Sequence, residues 1–248
     1  MRALFARGRE AVLARLAAAN LLVAFDYDGT LAPIVADRDR AALRPRTARL
    51  LARVADRYPT AVVSGRARAD VADRVRGLGV RYLIGNHGLE PGPAPALARF
   101  EADAGQARVL LEQALAELAG VDVEDKRYSL ALHYRRARRR PAARATIAAA
   151  VAALPMAMRV VHGKQVVNAI PAAAPDKGDA VLGLRAAAGA DVALYVGDDI
   201  TDEDVFAIDQ PGRLITIRIG LARRSAATYG LRDQRELDRL LAALVALR

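Results

Sequence analysis

Residues 21–35 read LLVAFDYDGTLAPIV, and this stretch decides the fold. Five apolar residues stop abruptly at Asp26, so Leu21 to Asp26 is a buried strand that empties into a loop at its carboxyl end. Working outward, the same alternation repeats. Helical spacing over Arg46 to Tyr58, with Leu50, Leu51 and Val54 on one face, precedes a second strand, Thr60 to Ser64. A helix near Arg68 to Arg76 precedes a third strand, Val80 to Gly85. Strands alternating with helices predict a parallel sheet covered on both faces.

After Pro91, Pro93 and Pro95 the pattern changes. The spacing predicts a helix over Gly105 to Leu118, strands over Val121 to Glu124 and Tyr128 to Tyr134, and a helix over Pro141 to Leu154. Met158 to His162 and Gln165 to Ile170 then form a hairpin through Gly163 and Lys164. Pro171 and Pro175 punctuate a return to helix (Asp176 to Ala188), strand (Val192 to Val196), helix (Thr201 to Ile208), strand (Arg213 to Ile219) and a closing helix (Arg232 to Leu247). The expected fold is therefore α/β: a doubly wound, mainly parallel, Rossmann-like core sheet (1–95 and 172–248) interrupted by an inserted α+β cap domain (96–171).

Composition removes several function classes. The 248 residues carry a net charge of +10, which invites a nucleic-acid reading, but aromatics are 4% and Trp is absent. Platforms for base stacking are poorly supplied, and no nucleic-acid partner is expected. No apolar run approaches the ~20 residues that span a bilayer. Asn20 and Arg15 interrupt the region upstream of Leu21, so neither a membrane span nor a secretory signal is expected, and a cytoplasmic location is. The absence of cysteine excludes disulfides, thiolate nucleophiles and Cys-type zinc sites. Of the 38 cations only Lys126, Lys164 and Lys177 are lysines. The arginine excess reads as compositional bias on a solvated surface, the run Arg135 to Arg140 included. A retained lysine presents a compact ammonium suited to a single anionic or hydroxyl oxygen.

Four segments carry chemistry, three of them at strand carboxyl ends, where doubly wound sheets bind ligands. In Asp26-Tyr27-Asp28-Gly29-Thr30 the two carboxylates, two apart in extended backbone, share a face. They repel unless a cation lies between them, and hard oxygen ligands select Mg²⁺. Ser64-Gly65-Arg66 offers a hydroxyl and an exposed N–H to phosphate oxygens. Lys177 opens a helix, where its charge and the helix dipole favour an anion. In Gly197 to Asp204 (GDDITDED), Asp198 completes a third carboxylate ligand at a strand end. Glu203 and Asp204 fit an acidic helix cap as well as a site.

These motifs, in this order, resemble the haloacid dehalogenase superfamily of phosphotransferases: DxDGT after a strand, SGR, a lone Lys, then GDDxTDE. The insert between the second and third motifs matches that superfamily's larger cap. More narrowly, DYDGTLAPIV (26–35), GNHGLE (85–90), VEDKRYSLALHYR (123–135), HGKQVVNAIP (162–171) and GDDITDEDVF (197–206) resemble the trehalose-6-phosphate phosphatases. The resemblance covers nearly all of 20–220. It implies that Asp26 attacks phosphorus and forms an aspartyl-phosphate, while Asp28 serves as general acid and then general base. Mg²⁺ would be held by Asp26, the Asp28 carbonyl and Asp198, with Asp199 or Asp202 in support. Lys177 and Ser64 would screen the phosphoryl charge. Leu31 to Val35 would be a mobile flap.

Thr30, Gly65 and Arg66 join the substrate-binding set by their motifs. Two roles stay open for Arg66, holding its loop or touching substrate, and two for His87, a substrate contact or a loop histidine. By the same resemblance Glu124 and Lys126 would bond glucosyl hydroxyls once the cap closes, and Lys164 maps to the family pattern. Asn168 stands where the family usually has a second glutamate; it keeps a donor and an acceptor but loses the charge. The implied partner is a small sugar phosphate, acted on by a monomer, with a trehalose-6-phosphate synthase as the protein of the same pathway. Rival substrates are sucrose phosphate and mannosyl- or glucosyl-3-phosphoglycerate. A silent sugar-phosphate-binding protein is the rival class, disfavoured because Asp26, Asp28, Lys177 and Asp198 are all present.

Overall fold

A computed structural model describes residues 1–6, 10–35, 37–163, 165–220, 222 and 224–248. Contacts divide the chain into two compact units, Met1–Glu90 with Asp176–Arg248, and Pro91–Pro175.

The first unit runs β1 (Arg2–Ala3), α1 (Glu10–Ala18), β2 (Leu21–Phe25), α2 (Pro45–Ala55), β3 (Thr60–Val63), α3 (Arg68–Arg74) and β4 (Tyr82–Ile84). The second contains α4 (Ala94–Ala114), β5 (Asp122–Asp125), β6 (Leu130–His133), α5 (Arg140–Ala152), β7 (Met158–Gly163) and β8 (Val166–Pro171). The chain then returns through α6 (Lys177–Ala187), β9 (Val192–Gly197), α7 (Glu203–Phe206), β10 (Leu214–Ile219), β11 (Tyr229–Leu231) and α8 (Gln234–Ala246).

All pairings of the seven-stranded sheet are parallel, in the order β1-β11-β10-β9-β2-β3-β4. The chain order reverses around β2, which lies between β9 and β3. That is the switch point where open α/β sheets leave a crevice. Every residue of β2 is buried because both faces are covered. Leu21, Val23 and Phe25 pack with α1, α2 and α8 residues such as Leu16, Leu51 and Leu241; Leu22 and Ala24 pack the other way with Val181 and Leu184 of α6.

In the second unit a four-stranded antiparallel sheet, β5-β6-β8-β7, has its own core. Leu130, Leu132, Val167 and Ala169 meet Leu111 of α4 and Ile147 of α5. No helix of the described residues is long and apolar enough to cross a membrane.

Five elements differ from expectation. The first helix of the insert begins at Ala94, not Gly105, with Pro95 in its first turn, where a missing N–H leaves no bond unmade. Gly105 sits mid-helix, where a Cβ would meet open space. The helix expected over Thr201 to Ile208 is a 3₁₀ turn at Ile200–Asp202 followed by the single turn of α7. β1, α1 and β11 were not expected, being too short or too weakly patterned to stand out.

Candidate active site

Asp26 leaves β2 with its N–H donated to the Val196 carbonyl of β9 (2.9 Å), so two strand ends fix its position. Lys177 is the first residue of α6, held there by a capping box between Asp176 and Asp179. Its ammonium is buried and bonds Asp26 Oδ1 and Asp202 Oδ1, each at 2.8 Å. Asp202 accepts two further kinds of donor. Tyr195 OH reaches Oδ1 at 2.7 Å, and the N–H groups of Asp198 and Asp199 reach Oδ2 at 2.8 and 2.9 Å. Reaching back to those amides is what tightens the chain into the 3₁₀ turn.

Asp198 accepts from Thr30 Oγ1 at 3.3 Å. Its close approach to the loop requires Gly29: φ is +90° there, and a Cβ would sit 2.2 Å from Asp198 Oδ2. Carboxylate oxygens of Asp26, Asp198 and Asp202 lie within 4.8 Å of one another.

Burial would strip the proton from Lys177, but Asp202 and then Asp26 outweigh it and raise its pKa. Burial likewise pushes Asp202 up, and Lys177 with the surrounding donors pulls it below the usual carboxylate range. Asp26 is raised, by burial first, then by Asp202 and Asp198 against partial relief from Lys177. Asp198 is raised to about 7 by burial, Asp202 and Asp199. Burial and Asp202 raise Tyr195 well above its ordinary value and keep its hydroxyl a donor.

Asp28 does not share the face of Asp26 as expected: the strand ends at Phe25, so the two-residue alternation of extended backbone does not reach it, and its carboxylate turns to Arg66 instead. Arg66 grips it with two bonds, Nε to Oδ2 at 2.6 Å and Nη2 to Oδ1 at 2.7 Å, and also holds Asp70 at 2.8 Å. Burial opposes the Arg66 charge, but Asp28 and Asp70 more than offset it and raise the guanidinium's pKa. Arg66 and Arg74 lie over the Tyr27 ring at 5.5 and 5.9 Å. Of the two roles open to Arg66, the geometry favours the holding one: the side chain is buried and turned onto Asp28 and Asp70. Ser64 is buried and its Oγ accepts the Arg66 N–H. The His87 ring lies on the same turn, and a Cβ at Gly65 would come within 2.5 Å of it.

In the second unit one register row crosses the sheet through Glu124, Ala131, Asn168 and Val161. It lies on the face opposite α4 and α5. Lys126 Nζ reaches Asn168 Oδ1 at 3.4 Å, and Glu124 pairs with His133 Nε2 at 2.7 Å. Lys164 lies outside the described residues.

Residues 24–225 match the family model for trehalose-phosphatase. The chain belongs to the trehalose-phosphatase family. A trehalose-phosphate phosphatase of Mycobacterium tuberculosis is 40% identical over 209 residues, covering 79% of this chain and 53% of that one. The chain thus spans about half the length of the mycobacterial relatives it matches. A trehalose 6-phosphate phosphatase of Zea mays is 32% identical over 95% of this chain and 72% of its own. The C-terminal domain of the Candida albicans trehalose-6-phosphate phosphatase superposes with a TM-score of 0.80 at 21% identity, covering 100% and 99% of the two chains. That likeness shows the shared α/β fold.

The donor set fits the Mg²⁺ that the family resemblance implies. With all three carboxylates ionised, one ammonium leaves two negative charges unbalanced; that excess helps hold Asp26 and Asp198 above their ordinary values, and a divalent cation would balance it. All-oxygen donors suit Mg²⁺. The four bonds Asp202 accepts occupy its oxygens, so it fits a supporting role, while Asp26 and Asp198 have oxygens to give. Asp199 is outside the carboxylate cluster; its N–H holds Asp202 and its carbonyl accepts from Arg218 at 3.1 Å. Sequence reading missed Tyr195, whose polar tip in an otherwise apolar strand was the available signal. It also missed Asp70 and Arg218, which carried none.

Proposed function

We propose that this chain hydrolyses trehalose 6-phosphate to trehalose and phosphate, with Asp26 as nucleophile. The observation that carries the reading is the buried ion pair of Lys177 with Asp26, set in a three-carboxylate cluster of a trehalose-phosphatase-family chain. Lys177 fixes the Asp26 carboxylate by Oδ1 and places a positive charge beside the incoming phosphoryl oxygens. In the first step an Asp26 oxygen bonds phosphorus, the sugar oxygen leaves, and Asp28 gives that oxygen its proton. In the second, Asp28 takes a proton from water, whose oxygen bonds phosphorus as the Asp26–phosphorus bond breaks. To give and take that proton Asp28 frees one oxygen from Arg66, which holds both oxygens in the resting site. The Ser64 hydroxyl, at the carboxyl end of β3, takes a phosphoryl oxygen; the N–H groups of Ser64 and Arg66, expected to be exposed, are already given to the Ile84 carbonyl and to Ser64 Oγ.

Mg²⁺, held by Asp26, the Asp28 carbonyl and Asp198, would neutralise the charge gathered on phosphate and carboxylates. In the second unit Glu124, Lys126 and Asn168 read sugar hydroxyls: a charged acceptor, a charged donor and a neutral amide of both kinds.

The test is phosphate release from trehalose 6-phosphate, sucrose phosphate, mannosyl- and glucosyl-3-phosphoglycerate and p-nitrophenyl phosphate, with Mg²⁺ present or chelated. Release must be fastest from trehalose 6-phosphate and vanish in chelator. Full activity in chelator removes the metal from the reading, and a preference for another ester removes trehalose.

A further inference from the structure

Gln234 opens α8, next to its N-cap Asp233. Its Nε2 lies 3.1, 3.0 and 2.9 Å from the carbonyl oxygens of Gly29, Thr30 and Ala32. Three carbonyls from four successive residues thus converge on one amide nitrogen more than 200 positions along the chain. A trans peptide points its N–H opposite its C=O. Holding the Gly29 and Thr30 carbonyls therefore turns the N–H groups of Thr30 and Leu31 away from α8.

The bracket is itself anchored. Arg44 donates to the Gln234 carbonyl (2.6 Å) and to Asp238 (3.0 Å), and Thr47 donates to the same buried Asp238 (2.7 Å). A cavity of about 420 Å³ lined in part by Gly29, Arg44, Asp198 and Gln234 borders the loop. Leu31 and Ala32 are packed into the core, whereas Gly29 lines the cavity, so at that end of the loop the hydrogen bonds from Gln234 add to the holding. Gln234 also lies beyond the residues that match the family model, which end at 225.

We infer that Gln234 is a positioning residue, a clamp on the loop that presents Asp28 and Thr30; its catalytic consequence rests on the phosphatase reading above. Gln234→Met keeps the length of the side chain and removes its donor. Gln234→Glu keeps the shape and turns an anion toward the three carbonyls. Kinetics on trehalose 6-phosphate and on p-nitrophenyl phosphate, and amide hydrogen exchange of the full chain, read the effect.

Both variants should lose roughly ten- to a hundredfold in kcat on both esters with KM little changed, the size of effect a slightly misplaced site produces. Exchange should quicken over residues 29–32 and stay slow over 237–245. Wild-type kcat and exchange in Gln234→Met overturn the clamp, and so does loosening spread through α8, which marks a merely structural role. Should Gln234→Met not fold, Gln234→Glu is read by the same two criteria. If the wild type hydrolyses neither ester, the phosphatase reading fails and exchange alone decides the clamp.

Discussion

Asp202 and Asp198 sit in the same acidic cluster yet should respond to the same substitution with opposite signs. Asp202 accepts four donors on two oxygens: Lys177, Tyr195 and two main-chain N–H groups. Asparagine has one acceptor oxygen, and its NH₂ would face two of those donors. Leaving two buried donors unmet costs roughly 1–3 kcal/mol each. Lys177 also loses one of its two anions, which brings Asp202→Asn to about 3–5 kcal/mol, the range for a broken buried pair. Against a total stability of roughly 5–15 kcal/mol this is large. At roughly 2–4 °C per kcal/mol for a chain of this size, the melting temperature should fall by about 6–20 °C.

Asp198 accepts one long bond, from Thr30, and its pKa is raised to about 7 by burial and by Asp202 and Asp199. In chelator at pH 8, Asp198→Asn removes a charge that the fold holds at a loss, so its melting temperature should rise. Its response to Mg²⁺ should disappear. Differential scanning calorimetry of both variants with chelator and then with Mg²⁺ makes the comparison. Equal destabilisation in chelator, with Mg²⁺ response lost in both, would refute the reasoning and make Asp202 a ligand of the metal in its own right.

The pKa directions also set a pH dependence. Folded carboxyls raised above their unfolded values hold protons the unfolded chain has released, so stability falls as pH rises from about 4 through 7. The chelated protein should therefore melt higher at pH 6 than at pH 8, and Mg²⁺ should stabilise it more at pH 8; a reversed order sinks the assignment. Gly65→Ala drives a Cβ into the His87 ring; it should cost roughly 1–3 kcal/mol, and adding His87→Ala should recover most of it in a double-mutant cycle by urea unfolding. Asp26→Asn should end phosphate release while leaving the far-ultraviolet dichroism unchanged; activity above a few per cent means another nucleophile. Lys126→Ala should slow trehalose 6-phosphate hydrolysis roughly ten- to a hundredfold and spare p-nitrophenyl phosphate, whereas Lys177→Ala should slow both. Equal losses from the two lysines would place both in the catalytic machinery.

The parts legible from sequence were those governed by local pattern. β2, β3 and β9 stand out because a strand buried on both faces is a continuous apolar run, and its abrupt end at Asp26, Ser64 or Asp198 marks where the crevice lies. The start of α4 was hidden because Pro95 and Gly105 carry the same letters in a helix as in a loop, and only the surrounding packing decides. Asp28 and Arg66 were each noticed, but the pair between them joins positions 38 apart and follows from the sheet order, which places β3 beside β2. Gln234 was invisible for the same reason carried further: its role is defined by three carbonyls, which have no letter of their own.

The lysines show how composition and site meet. In a chain that uses arginine for nearly every cation, Lys177 fills a position enclosed by Asp26, Asp202 and the end of β9, with both anions at 2.8 Å from one nitrogen. A planar guanidinium spreads its charge over three nitrogens and makes paired, parallel bonds, as Arg66 does on Asp28. It cannot bring one point of charge between two carboxylates. Lys177→Arg should accordingly be nearly as inactive as Lys177→Ala on p-nitrophenyl phosphate, although it keeps the charge. Its melting temperature should also fall, because the larger head has to displace Asp202 from its four donors. An arginine variant with more than about a tenth of wild-type kcat, a barrier difference of under ~1.4 kcal/mol, would show that charge alone suffices at this position.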